Sequence, residues 1–148
     1  MKDGPVNATR SVVVERDIPH PPENIWRALT QPHLIEEWLV TTDFKPVAGH
    51  RFNLRLDPEP DRTFAFDCEV LAVEPHRLLS YTWNSADDGS GDGLRSSVTW
   101  TLVPIDTGTR LRMEQSGFRA DQPLFYGGAR AGWQQFVANL EQVVARLA

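Results

Sequence analysis

The chain has 148 residues, of which 41% are hydrophobic and 24% charged, and its formal net charge is −5 at pH 7. That balance argues against nucleic acid as a partner, which needs a basic footprint, and no apolar run approaches the ~18 residues of a membrane helix. The length suits one domain, residues 1–148, with a core of useful size.

The opening MKDGPVNATRSVVVERD has neither the apolar segment of a secretory signal nor a basic amphipathic transit pattern, so a cytoplasmic location is expected. The first element is a strand over residues 11–18, β-branched and bounded by PHPP. PPENIWRALT reads as a short helix with proline in its first turn and Ile25, Trp26 and Leu29 on one face. PHLIEEWL repeats the device, with Leu34, Ile35 and Trp38 sharing a face.

From Asp43 onward the period becomes two. Phe52, Leu54 and Leu56 alternate with Arg51, Asn53 and Arg55; Phe64, Phe66, Cys68 and Val70 then oppose Asp67 and Glu69. Alternation fails after Val70, which predicts a bulge between Val70 and Val73. RLLSYTWN, SSVTWTLVPID and TRLRMEQSGF are three further strands, carrying Leu79, Tyr81 and Trp83, then Val98, Trp100 and Leu102, then Leu111, Met113 and Gln115 on one face. The last segment, 128–147, is helical in period, with Trp133, Phe136, Val137, Leu140, Val143, Val144 and Leu147 as its stripe. Strand, two helices, about five strands and one long helix make an antiparallel α+β domain whose final helix packs on the apolar face of a twisted sheet.

IPHPPENIWRALTQPHLIEEWL, FKPVAGHRF, EVLAVEPHRLLSYTW, SSVTWTLVPIDTGTRLRM and GWQQFVANLEQVV together resemble the helix-grip fold of the SRPBCC superfamily, the START-like and polyketide cyclase-like domains. Within it they are similar to the branch of activator of heat-shock-protein-90 ATPase homologues. The resemblance covers nearly the whole chain and implies a pocket between sheet and last helix. It carries no catalytic motif.

Trp38, Trp83, Trp100 and Trp133 all fall on inward faces, and buried indole N–H groups need partners, so these four are the first candidates to line such a pocket. Phe66, Met113 and Phe136 share those faces. Gln115 should meet backbone, another polar side chain or a ligand unless its strand end is already in water. His50, after Gly49 at a strand start, is the candidate proton acceptor. His20, His33 and His76 lie beside prolines, and no two histidines have metal-ligand spacing, so no metal and no cofactor are expected. The DGSGDG loop fits a hairpin better than a calcium site, since Thr99 stands where a bidentate Glu is needed. Cys68 reads as a core thiol, and it is the lone cysteine, so no internal disulfide forms. Thirteen of the fifteen basic residues are arginine, which reads as lineage bias rather than a phosphate-binding device.

These residues point to a binding module for a hydrophobic or aromatic small molecule, with no catalytic residues assigned. Two alternatives stand beside it: a cyclase- or hydratase-like enzyme using the same pocket, and a chaperone-associated partner-binding module. The sequence leaves a homodimer open and points to no nucleic acid and no membrane.

Overall fold

The computed structural model describes residues 9–59, 62–86 and 93–147, the side chains of 57–59, 62 and 63 apart. Chain order is β1 (Thr9–Ile18), α1 (Pro22–Thr30), α2 (Pro32–Trp38), β2 (Arg51–Glu59), β3 (Arg62–Glu74), β4 (Leu78–Ser85), β5 (Arg95–Ile105), β6 (Gly108–Arg119) and α3 (Pro123–Leu147). The six strands form one antiparallel, curved sheet in the order β1-β6-β5-β4-β3-β2. Consecutive hairpins run from β2 to β6, and β1 closes the far edge beside β6. With α3 laid on its apolar face, this is an α+β helix-grip.

The two short helices form where proline supplies the first helical residue, whose N–H would lack a partner in any case. Gln31 serves both: its N–H closes α1 on the Arg27 carbonyl at 2.9 Å, and its carbonyl accepts from Leu34 and Ile35 at the start of α2. Trp38 then locks the pair by donating from Nε1 to the Ala28 carbonyl at 2.8 Å.

Besides a register shift between Leu56 and Glu59 of β2, two bulges interrupt the pairing of the described strands. The first falls between Val70 and Ala72 of β3, where alternation fails in the sequence. The second lies at Gly117 in β6, opposite the Arg10/Ser11 step of β1. Gly117 has φ +114°, and a Cβ there would sit 2.5 Å from the Arg95 carbonyl oxygen, so only glycine fits. The extra residue turns Phe118 inward, where it is fully buried.

Helix α3 begins at Pro123, five residues before the start that the apolar period predicts. Gly127 and Gly128 disguise this first stretch, since a glycine pair reads as a helix break. The helix packs along β1 and β6 and meets α1 and α2 toward its C-terminus, where Arg146 is paired with Glu37. Over the remaining strands the gap to the sheet is spanned by side chains. Among the described residues no helix is long and apolar enough to cross a membrane.

Candidate functional site

The gap beneath α3 holds a row of rings. Trp38 meets Trp100 with centroids 5.7 Å apart, Trp100 meets Trp133 at 5.7 Å, Trp133 meets Trp83 at 5.4 Å, and Trp83 meets Phe66 at 5.1 Å. Phe136, one turn beyond Trp133, adds an edge contact at 5.6 Å and is only half-buried. The geometries are edge-on or tilted, as ring quadrupoles favour. Five elements contribute: α2 gives Trp38, β5 Trp100, β4 Trp83, β3 Phe66 and α3 both Trp133 and Phe136. Period-two alternation on the strands and the i, i+3 spacing on α3 aim all of them into one layer.

Most polar demands of this layer are met by the chain itself. Trp133 Nε1 donates to Gln115 Oε1 at 2.6 Å, Gln115 Nε2 donates to Ser96 Oγ at 2.9 Å, and Ser96 Oγ donates to the Trp83 carbonyl at 2.5 Å. Gln115 is 2% exposed, so the alternative that its strand end lies in water does not hold. Trp100 Nε1 donates to the Tyr81 hydroxyl at 3.0 Å. Three of the four indoles therefore find partners without a polar pocket wall or water.

Met113 lies beneath the rings, paired across the sheet with Trp100 on one side and Val14 on the other. His50 stands apart. It is half-buried, stacked on Phe52 at 6.3 Å, with Nε2 3.0 Å from the Asp43 carbonyl oxygen, which fixes Nε2 as a donor. Phe52 belongs to a second cluster with Phe44 at 5.1 Å and Tyr81 at 5.4 Å, and the Tyr81–Trp100 hydrogen bond joins the two. Ser96 and Tyr81 are the residues that the site expectation omits. Ser96 was within reach, because it precedes Val98 and Trp100 on the same period-two face.

Burial sets the titration of the two ionisable groups in this layer. The Cys68 thiol is pushed up to about 12 by burial, with the neighbouring Asp67 charge adding to it. The Tyr81 hydroxyl is raised by burial as well, against the opposing effect of its bond from Trp100. Both stay neutral near pH 7, so neither serves as an acid–base pair there. Among the described residues no group of three or more His, Cys, Asp or Glu is placed to hold a metal ion. The DGSGDG motif lies outside the described residues except for Gly93.

The surface of the described residues includes two concavities. One, of about 630 Å³, runs between β1 and the first half of α3, and the other, of about 440 Å³, is bounded by Glu36, Val40, Thr41 and Arg55. Neither is lined by an indole of the central row.

A family model described as activator of Hsp90 ATPase homolog 1-like protein matches residues 19–145. No curated protein matches the chain. Among solved structures, a protein from Mesorhizobium loti is 61% identical, with a TM-score of 0.85, 94% of this chain and 99% of that one being covered. A protein of the dynemicin biosynthetic locus is 24% identical with a TM-score of 0.74, covering 91% of this chain and 47% of its own. The solution structure of an Aha1 dimer from Colwellia psychrerythraea is 18% identical with a TM-score of 0.74, over 91% of this chain and 96% of that one. The last two likenesses concern the fold alone.

Proposed function

Because the chain belongs to the activator of Hsp90 ATPase homolog 1-like family, within a fold whose helix lies across a curved sheet, we propose that it binds a hydrophobic or aromatic small molecule. The molecule enters the ring layer beneath α3. Trp38, Phe66, Trp83, Trp100, Met113, Gln115, Trp133 and Phe136 form its surroundings, and His50 borders it through Phe52. The supporting observation is the make-up of α3. Not one side chain of residues 123–132 is fully buried, whereas Trp133, Val137, Leu140, Val143 and Val144 are. Within these first ten residues Phe125, Tyr126 and Ala129 pack against the core but stay only partly buried, so this half is the less firmly held one and the side from which a ligand would pass.

Entry requires rings to turn. A buried Trp contributes about 4–6 kcal/mol through ~150–250 Å² of burial, so a ligand must cover comparable area as it displaces Trp133 or Phe136. A molecule of ~20 heavy atoms at ~0.3 kcal/mol per atom gains about 6 kcal/mol, which corresponds to tens of micromolar. Gln115 orients the guest once Trp133 has moved, since its amide then offers both an acceptor and a donor.

Titration with a polarity-sensitive apolar fluorophore under native conditions tests this reading. Saturable binding at about one site per chain, with a change in tryptophan emission, is the expected result. A folded protein that leaves the fluorophore unbound would mean that the rings only fill the core.

A further inference from the structure

The groove of about 630 Å³ between β1 and the first half of α3 has a different chemistry from the ring layer. Tyr126 forms part of its wall, and that ring is fixed from below by an edge contact with the fully buried Phe118 at 5.7 Å. Two guanidinium groups lie over Tyr126, Arg10 at 5.2 Å from the ring centroid and Arg130 at 5.7 Å. Arg130 lines the groove, and Arg10 stands at its rim beside the lining residue Ser11.

Arg16, Arg51, Arg77, Arg110, Arg112, Arg119 and Arg146 each touch a carboxylate. Arg27 and Arg95, like Arg10 and Arg130, touch none among the described residues; Arg10 and Arg130 differ from those two in sharing one ring. On a chain of net charge −5, two arginines over one ring, neither with a carboxylate partner among the described residues, concentrate positive charge at this groove. Arg16, further along the groove, is already held by Gln134 at 2.7 Å and Glu141 at 3.6 Å and adds little charge. Stacking on a ring leaves the guanidinium edge free to donate, the geometry that suits a carboxylate or phosphate. Val13, 45% exposed, and Ala131 supply apolar wall beside that charge.

We propose that this groove is an anion-binding site for a small molecule that carries a carboxylate or phosphate on an apolar body, with Arg10 and Arg130 as its donors. It is separate from the ring layer and does not rest on ligand entry there. At 630 Å³ it falls within the ~300–1,000 Å³ of small-molecule sites.

The test is an amide-resolved NMR titration of the full chain with sodium benzoate and, separately, phenyl phosphate at fixed ionic strength. Saturable shifts confined to residues around Ser11, Tyr126 and Arg130 are expected. Affinity should drop about tenfold or more in the R10Q/R130Q double variant, the size of losing charge-assisted hydrogen bonds. Both arginines are exposed, so the variant should fold, and R130Q alone should give an intermediate loss. Saturation by benzoate only assigns a carboxylate, and by phenyl phosphate only a phosphate ester. Non-saturating shifts, or equal affinity in the double variant, would overturn the site. So would a concentration-dependent dimer that R130Q abolishes, because the groove would then belong to a second copy.

Discussion

The two halves of α3 share one backbone and differ in almost everything else. From Trp133 to Val144 the helix buries a stripe at positions 133, 137, 140, 143 and 144, hydrogen-bonds Gln115 and meets the rings of Trp83 and Trp100. From Pro123 to Gly132 it buries nothing completely, leaves Leu124 90% exposed and contains Gly127 and Gly128, where an added Cβ would meet no atom within 4 Å. The second half is thus anchored by fully buried side chains, and the first only by the partly buried Phe125, Tyr126 and Ala129. Helical stability in a protein comes mainly from packing of the apolar face, so the second half should persist while the first opens.

The largest expected effect lies in the anchored half. Trp133→Ala should cost about 3–5 kcal/mol in urea unfolding, because it removes a buried indole and strips Gln115 of a partner. Loss of fluorophore binding beyond that expected from the unfolded fraction would tie the ring to the ligand as well. Matched leucines give the sharpest contrast along the helix. Leu140→Ala should cost about 2–5 kcal/mol and Leu124→Ala less than about 0.5 kcal/mol, and similar costs at the two positions would erase the distinction between the halves.

Glycine replacement should act in the opposite direction. Gly127→Ala and Gly128→Ala have open space for the new methyl and should each stabilise the fold by about 0.5–1 kcal/mol. Stopped-flow mixing should show slower fluorophore entry in the double variant, and unchanged entry would remove the first half of α3 from the route. Cys68 offers a smaller, pH-dependent probe. Its folded thiol titrates near 12 against an ordinary 9.0, so the folded state favours the protonated form. Stability should be retained below about pH 9 and decline as pH rises from there toward 12, and Cys68→Ala should flatten that decline in thermal melts.

Much of this was legible in the sequence because burial here follows simple periods. Alternation places Trp83, Trp100 and Gln115 inward, proline marks both short helices, and the lapse of alternation after Val70 marks a bulge. The start of α3 was hidden for the reason that makes it interesting: Gly127 and Gly128 lower helix propensity, and no buried stripe accompanies them. Which groups would satisfy the indoles was not legible, since pairing of Trp133 with Gln115, and of Trp100 with Tyr81, depends on how side chains of different elements pack together. The Arg10–Tyr126–Arg130 arrangement was out of reach for the same reason. Arg10 opens the sheet at one edge, Arg130 lies on the last helix, and only the packing of α3 along β1 brings them to one ring.

Native-state hydrogen exchange along α3 tests the central claim most directly. Amides of residues 128–132 should exchange on the order of a hundredfold faster than those of 137–144, through a local opening that leaves the rest of the helix protected. Equal protection of the two halves, lost together in one global unfolding step, would contradict the account.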